Sequence, residues 1–266
     1  MSIPPLPIAL KRQRAIKKWI FIAVASIATL SLLKTGFLNL KPLTVLSDIA
    51  SLFKEAFPPK LDVAPKLLEG AFETIVMAIS ASALSFIIAL PLSFLAARNT
   101  SLHPAIAYAM RSIFSAIRSI PELIMAILFV AAIGFGMLPG VIALSIISVG
   151  MLGRFFYESI ERVKPGSIDA VRASTDNRLQ IIMYGILPQI FREIFDYALY
   201  RFDCNLRAST YIGIVGAGGI GFQVMLSLRL MQYQELLTGI ILIFTMIAFF
   251  EAMGKITRRR VISEIS

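Results

Sequence analysis

Five long apolar runs set the strongest limit on what this chain can fold into. They are Trp19–Leu33, Ala71–Ala97, Leu123–Leu138, Val141–Tyr157 and Leu236–Met253. Each is long enough, or nearly so, to cross a lipid bilayer, which needs roughly 17–25 apolar residues. Hydrophobic residues make up 57% of the chain and charged residues 16%, whereas soluble proteins contain about 45–50% and about 25%. The sequence therefore predicts an all-α integral membrane protein.

Basic residues cluster in the segments that separate or follow the apolar runs. The clusters are Lys11–Lys18, Arg98–Arg118, Arg154–Arg178 and Lys255–Arg260. From residue 34 to residue 69, five lysines are nearly balanced by four acidic residues, and no arginine occurs. This distribution follows the positive-inside rule, so the net charge of +10 indicates orientation in a membrane and not nucleic-acid binding. It predicts about six transmembrane helices with both chain ends in the cytoplasm.

The same pattern divides the chain into four parts. They are a basic cytoplasmic arm (1–18), a first transmembrane helix and outer connector (19–70), a helical core (71–255) and a cytoplasmic tail (256–266). Within the outer connector, the proline-rich stretch "FPPKLDVAPK" is expected to be irregular. After the second predicted crossing, we expect a cytoplasmic loop that contains Arg98, His103 and Arg111. We expect Pro121 in the first turn of the third helix. Pro139-Gly140 should form the hairpin turn before the fourth helix.

The cysteine and histidine content excludes two kinds of site. Cys204 is the only cysteine, so the chain has no internal disulfide, and His103 is the only histidine. A lone histidine cannot build a metal site of the usual kind. We expect no metal, no resident cofactor and no catalytic residue in this chain.

A short cytoplasmic helix is predicted within Lys164–Ile190. Pro165-Gly166 breaks the preceding helix, Ser167 is a good N-cap, and Asp169 falls in the first turn, where the helix dipole favours a carboxylate. The helix should end at residues 175–177 after two or three turns. Either a cytoplasmic partner grips this helix as a lever, or the helix rests on lipid headgroups.

The fifth predicted helix, from about Leu179 to Tyr211, carries charges at membrane depth. Four of them fall within about 60° of one face at 100° per residue, namely Arg192, Asp196, Asp203 and Arg207. Arg201 and Asn205 lie on the other side. Such residues face protein or a wet cavity because a charge at the bilayer centre costs at least about 2.5–3.5 kcal/mol. They either line a polar path or form ion pairs, for instance Arg192 with Asp196 and Asp203 with Arg207.

The stretch "GIVGAGGIGF", residues 213–222, contains the spacing of a dinucleotide-binding turn, G-x-G-x-x-G. That turn needs a parallel βαβ sheet and an acidic residue about 20 positions further on. The chain leaves no room for such a sheet, and Glu235 comes too early. The sequence therefore argues against a dinucleotide-binding turn at these glycines.

Three stretches resemble the membrane-spanning subunits of bacterial ABC importers, and most of all the phosphonate-transport permeases. They are "YRFDCNLRAST" followed by "GIVGAGGIG", "ETIVMAIS…ALPLSFLAARN", and "SIPELIMAILFVAAIGFG". The resemblance covers roughly residues 70–255. The general family signature on the cytoplasmic loop is matched only in part. Asp169, Ala170 and Val171 stand for E-A-A, Thr175 stands for the glycine, Gly185 for the isoleucine, and Leu187-Pro188 match.

The resemblance implies a type I ABC importer permease fold in the bacterial inner membrane, assembled as a homodimer. It implies two ATP-binding subunits, which carry ATP and magnesium, and a periplasmic or lipid-anchored substrate-binding protein. The chain itself contains no G-x-x-x-x-G-K-[ST] motif. Phosphonate or a related small phosphorus oxyanion is the implied substrate.

The resemblance also implies roles for three sets of residues. Those of the coupling helix, which docks on the ATPase, are Ser167, Asp169, Ala170, Val171, Ala173, Thr175, Leu187 and Pro188. Those of the translocation path are Arg192, Asp196, Arg201, Asp203, Asn205 and Arg207, with Arg201 and Arg207 as candidates for contact with the oxyanion. Those of a gate are Gly213, Gly216, Gly218, Gly219 and Gly221.

Thr175 departs from the family pattern because a glycine there would adopt a positive φ without strain. We expect this turn to move to Asp176 or Asn177, which tolerate that conformation. Two other functions stay open: an ion-coupled secondary transporter that uses Asp196 and Asp203 as carriers, and a membrane-embedded, nucleotide-dependent oxidoreductase.

Overall fold

The computed structural model describes residues 8–35 and 42–264. Every regular element in these two ranges is helical, which confirms the predicted all-α fold. Packing divides the chain into two compact units, Met1–Glu55 and Ala56–Ser266.

The first unit contains α1 (Ile8–Lys34) and most of α2 (Pro42–Ala56). The predicted first crossing, residues 19–33, lies within α1. Helix α2 lies before the stretch predicted to be irregular, residues 57–66, in a segment for which no secondary structure was predicted. Leu46, Ile49 and Phe53 recur in α2 at helical spacing, and this spacing gives a helix one apolar face. The prolines that suggested irregular structure follow α2 and do not interrupt it.

The second unit is a bundle of helices of very different lengths. In the described range these are α3 (Ala64–Ala96), α4 (Pro104–Ser119), α5 (Glu122–Ile133), α6 (Met137–Arg162), α7 (Pro165–Arg172), α8 (Arg178–Gln180), α9 (Leu187–Ile212), α10 (Gly219–Arg229) and α11 (Tyr233–Glu264). A 3₁₀ turn, Leu61–Val63, leads into α3. π-Helical turns precede and follow α9, at Ile181–Ile186 and Gly213–Ala217.

Three helical segments are long and apolar enough to cross a membrane: Leu61–Ala96, Met137–Arg162 and Tyr233–Arg258. Two bent pairs would raise the number to five if each pair makes one crossing. One pair is α4 with α5, bent by 85°, and the other joins the segment Arg178–Ala217 to α10 with a bend of 55°. Among the described residues the structure thus contains three to five candidate crossings, and the predicted number of six stays a prediction.

The expected loop after the second crossing is mostly helix α4. His103 caps this helix, because its Nδ1 accepts a hydrogen bond from the Ala105 N–H at 3.1 Å. Arg111 donates from Nε to the Ala96 carbonyl at 2.8 Å and forms an ion pair with Glu161. Its guanidinium also lies 4.6 Å from the centre of the Tyr157 ring. Arg111 therefore joins α4 to the ends of α3 and α6. The prediction of a loop is wrong for Pro104–Ser119, because these residues form a helix.

The turn between α5 and α6 lies earlier than predicted. Gly134 and Gly136 adopt φ values of 105° and 135°, a region that favours glycine. Pro139 and Gly140 lie inside the first turn of α6, so the predicted hairpin at these residues is wrong. A Cβ on Gly140 would lie 2.7 Å from Met77 Sδ, so the missing side chain lets α6 approach α3. Pro121 precedes α5 as its N-cap and does not enter its first turn.

The core of the second unit lies between α3 and α6, with α4 and α9 packed against them. Phe156 of α6 is fully buried and meets Phe86 of α3 edge to face at 5.7 Å. A Cβ on Gly150 would lie 2.9 Å from Ile117 Cγ2, so a small residue in α6 admits α4. This close packing positions α9, which runs along the same core.

Candidate functional site

Helix α7 lies between α6 and α9, where a short cytoplasmic helix is predicted. Its N-cap is Lys164, and Pro165 occupies the first helical position, where its fixed φ suits a helix. Ser167 is therefore inside the helix, and the prediction that it caps α7 is wrong. α7 ends at Arg172, so the helix is shorter than the predicted range of 167–177.

One face of α7 is packed and the other is exposed. Ile168 is 7% exposed and belongs to the core. A Cβ on Gly185 would meet Val171 Cγ2 at 3.4 Å, so the π-helical turn lies directly against α7. Of the residues predicted to dock on a partner, Asp169, Ala170, Ala173 and Pro188 are exposed, and Ser167, Val171, Thr175 and Leu187 are half-buried. One face of α7 is thus packed against the core, and the opposite face is exposed and accessible to a partner.

The turn after α7 is built by side chains. Met231 is the only non-glycine residue with a positive φ in the ranges that the structure describes, so the expected conformation at Asp176 or Asn177 is wrong. Thr175 Oγ1 accepts a hydrogen bond from the Asn177 N–H at 3.1 Å. Asn177 Oδ1 accepts one from the Leu179 N–H at 3.0 Å and caps α8. These two short polar side chains replace the glycine of the family pattern.

A cavity of about 200 Å³ separates α7 from the loop between α3 and α4. The hydroxyl residues Thr100 and Ser101 form one wall, and the guanidinium groups of Arg172 and Arg178 form another. Isoleucines of α7 and of the π-helical turn form its floor.

The charges on one face of α9 are only partly paired among themselves. Arg207 Nη2 donates to Asp203 Oδ2 at 2.6 Å, as the i, i+4 spacing suggested. Asp196 does not pair with Arg192 but lies 3.1 Å from Arg258 Nε, on α11. Arg207 also lies 3.8 Å from Glu251, and its side chain stays 47% exposed. A groove of about 320 Å³ between α9 and α11 contains Asp203, Arg207 and Arg258.

Arg201 and Asn205 point into the bundle. Arg201 is 3% exposed, and it donates from Nη2 to Glu122 Oε1 at 2.9 Å and from Nε to Ser148 Oγ at 2.7 Å. Asn205 donates to Ser82 Oγ at 2.9 Å and accepts from Ser148 Oγ at 3.0 Å. α3, α5, α6 and α9 therefore meet in one polar network.

Glu122 is the charged residue of this network that sequence reasoning missed. Its second carboxylate oxygen accepts a hydrogen bond from the Tyr211 hydroxyl. Glu122 is the only charged residue of α5 and falls in its first turn. An acidic residue beside an apolar run of this length is costly in a membrane unless it is paired, and here Arg201 is its partner.

The glycine-rich stretch forms a kink between α9 and α10. Gly216, Gly218 and Gly219 have φ values of 103°, 80° and 74°. Glu73 Oε2 accepts from the Gly219 N–H at 2.9 Å, and Thr74 Oγ1 accepts from the Ile220 N–H at 3.0 Å. These two α3 side chains satisfy the first amide groups of α10.

Close packing explains why glycines, which have no side chain, occupy this kink. A Cβ on Gly219 would lie 2.5 Å from Thr74 Oγ1, and one on Gly213 would lie 2.5 Å from the Gly218 carbonyl oxygen. A Cβ on Gly221 would collide with the Thr210 carbonyl. The described residues contain no β-strand, so the sheet that a dinucleotide turn needs is absent from them.

Glu235, which comes too early for a ribose contact, has another partner. Its Oε1 lies 2.9 Å from Lys60 Nζ. The hydrogen bond to Glu235 and the charge of this carboxylate raise the pKa of Lys60 above its ordinary value. The pair joins the start of α11 to the residues before α3.

Comparisons with known proteins agree on one class. The family model "binding-protein-dependent transport system inner membrane component" matches residues 89–263. The phosphite transport system permease protein PtxC of Stutzerimonas stutzeri is 44% identical over 80% of this chain and 78% of its own length. The phosphate-import permease protein PhnE of Mycolicibacterium smegmatis is 39% identical over 80% of this chain, which spans 40% of that protein.

Two solved structures have a similar fold. One is the MetNI methionine ABC transporter in an inward-facing conformation, with a TM-score of 0.64 and 22% identity over 73% of this chain and 95% of that chain. The other is an amino acid ABC transporter with histidines, with a TM-score of 0.63 and 21% identity over 75% of this chain and 96% of that chain.

Proposed function

Because the chain belongs to the family of inner membrane components of binding-protein-dependent transport systems, we propose that it is the permease subunit of an ATP-driven importer for a small phosphorus oxyanion. Phosphite and phosphonate are the first candidates. The single observation that carries the proposal is the 44% identity to a phosphite permease over 80% of the chain. ATP hydrolysis belongs to a separate partner subunit.

The exposed outer face of α7 is the proposed docking surface for that partner. Ile168 holds the helix to the core, while Asp169 and Ala170 stay exposed. A short helix anchored on one side transmits a push from a partner to the helices on either side of it, here α6 and α9. Closure of the ATPase subunits around ATP would thereby be converted into a rigid-body change of the permease.

The exposed charges of α9 support assembly as a homodimer. Arg192 and Arg207 are exposed in the single chain, and a charge at membrane depth must be covered by protein or water. A second copy would cover this face and enclose a polar path between the two α9 helices. The network that contains Arg201 needs no second copy because its members already bind one another.

Arg207 is therefore the better candidate for contact with the oxyanion. The Arg201 guanidinium is committed to Glu122 and Ser148 inside the bundle. Arg207 is bound on one side by Asp203 and keeps 47% of its side chain exposed. A guanidinium offers a planar fork of donors that fits an oxyanion.

The kink between α9 and α10 is the proposed gate. Its glycines adopt backbone conformations that other residues rarely reach, and they let α10 fold back against α9 and α3. Irregular backbone at membrane depth is tolerated where it lines a cavity or is covered by protein. In an importer this position would close the outer end of the path.

Reconstitution tests the proposal directly. The permease is placed in proteoliposomes with its ATPase subunit and its binding protein, and uptake of phosphite and of methylphosphonate is measured. We expect uptake that requires ATP and an ATPase rate that rises with the loaded binding protein. Uptake driven by a proton gradient without ATP would instead identify a secondary transporter.

Orientation is tested separately in whole cells. We propose that both chain ends and α7 lie in the cytoplasm, since the basic clusters flank these segments. A cysteine placed at position 172 in a Cys204→Ser background should resist a maleimide that cannot cross the membrane. Labelling of that cysteine from outside would place α7 on the wrong side for an ATPase.

A further inference from the structure

A groove of about 420 Å³ lies where α3 ends and α4 begins. Its walls combine two guanidinium groups with apolar and hydroxyl-bearing side chains. The lining residues are Arg98, Ser101, Pro104, Ala107, Tyr108 and Arg111. None of them is among the residues that we place in docking, gating or the path.

The two arginines of the groove differ in what they bind. Arg111 is committed to the Ala96 carbonyl, to the Glu161 carboxylate and to the face of Tyr157. Arg98 bonds Glu161 only through its backbone N–H, at 2.7 Å. Glu161 and Arg111 neutralise each other, and within the described residues no ion pair involves the Arg98 guanidinium. The groove thus carries one free positive charge.

The groove lies at the level where two membrane segments end. Arg98 is two residues beyond Ala96, the last residue of the segment Leu61–Ala96, and Glu161 is the second-last residue of the segment Met137–Arg162. Tyr108 of the lining is 77% exposed, and Leu102, which lies between the lining residues Ser101 and Pro104 in the sequence, is 64% exposed. Tyrosine and arginine together are typical of the boundary between acyl chains and water.

From these contacts, we propose that the groove binds the headgroup of an anionic phospholipid. The Arg98 guanidinium would bind the lipid phosphate, and the Tyr108 hydroxyl would be a second donor. The apolar rim at Leu102 and Pro104 would contact the upper acyl chain. Basic grooves between membrane helices on the cytoplasmic side are a general form of lipid headgroup site.

The combination of one positive charge with apolar surface favours a lipid over a free oxyanion. A free phosphate ion gains nothing from Leu102 and the Tyr108 ring, and it would meet only one uncommitted cation. A phospholipid matches both the charge of Arg98 and the apolar rim. Burial of such exposed apolar surface by the acyl chain adds to the ionic contact.

The test measures lipid bound to the intact complex of permease and ATPase. After delipidation, phosphatidylglycerol or phosphatidylcholine is titrated in, and native mass spectrometry counts the lipids that each permease retains. We expect wild type to prefer phosphatidylglycerol. Arg98→Ala should weaken its retention about fivefold, the effect of one basic residue near an anionic headgroup, and Arg98→Lys should keep most of it.

Arg118→Ala is the matched control, because Arg118 is exposed on α4 but does not line the groove. It should retain phosphatidylglycerol as wild type does. Equal retention by Arg98→Ala and wild type would overturn the proposal. So would displacement of the lipid by inorganic phosphate, which would make this a free-anion site. Loss of the ATPase from Arg98→Ala with unchanged lipid binding would assign the groove to the protein partner.

Discussion

Removal of the Glu122 carboxylate should leave the Arg201 charge without a counterion inside the bundle. Arg201 Nη2 lies 2.9 Å from Glu122 Oε1, and the Arg201 side chain is 4% exposed. The remaining partner atoms are the Ser148 hydroxyl and the Met151 sulfur, at 2.7 Å and 3.2 Å. Neither carries a charge. Glu122→Ala therefore isolates a buried cation and also removes the acceptor of the Tyr211 hydroxyl.

Loss of one member of a buried ion pair destabilises a protein by about 3–5 kcal/mol. The Glu122 side chain is 26% exposed, so water can reach the vacated position, and the lower end of this range, about 3 kcal/mol, is expected. For a chain of this size each kcal/mol lowers the melting temperature by about 2–4 °C. The expected decrease is about 6–12 °C.

Thermal melting of the purified permease measures this decrease in a double-mutant cycle. Glu122→Ala and Arg201→Met should each destabilise strongly, and the double variant should lose less than the sum because no charge remains uncompensated. Arg207→Met is the control for an exposed pair and should lose at most about 1 kcal/mol. A melting temperature for Glu122→Ala equal to that of the control would refute the reasoning.

Three further predictions concern the proposed gate, path and docking surface. Gly219→Ala should cost at least about 1–2 kcal/mol, because φ is positive there and a Cβ would crowd α3; melting should show no such loss for Gly166→Ala, where a Cβ meets nothing within 4 Å. Arg207→Ala should abolish oxyanion uptake in proteoliposomes while the dimer still forms, whereas full uptake would remove it from the path. Asp169→Lys should leave melting unchanged but uncouple the ATPase rate from the binding protein, and intact coupling would show that α7 does not dock through this face.

Apolar content and helix periodicity predicted the all-α membrane fold because both are properties of short stretches of sequence. The runs that predict crossings lie in α1, α3, α5, α6 and α11. α4 was missed because serines and arginines interrupt its apolar residues, so it contains no long apolar run. Its apolar residues nevertheless recur at helical spacing, with Ala107 and Phe114 on the buried face, so amphipathic periodicity predicts this helix.

The candidate site was predictable only where its contacts are close in sequence. The Asp203–Arg207 pair follows from its i, i+4 spacing. Glu122 and Arg201 are 79 positions apart, so only the three-dimensional arrangement brings them together. Asp196 likewise binds Arg258 of α11 in preference to its neighbour Arg192. Whether Asp196 pairs with Arg192 or with Arg258 depends on how α9 and α11 pack, and the sequence pattern does not predict that packing.

Helix α10 is attached to its two neighbours in different ways. It follows α9 through a kink at Gly216, Gly218 and Gly219, all with positive φ. Its first amides are bound by Glu73 and Thr74 of α3, and Ile220 lies against Gly70, where a Cβ would come within 3.1 Å. Helix α10 is thus bound to α3 by hydrogen bonds and joined to α9 through the glycine kink. A change in the angle between α3 and α9 would therefore have to be absorbed at the glycines of residues 216–219.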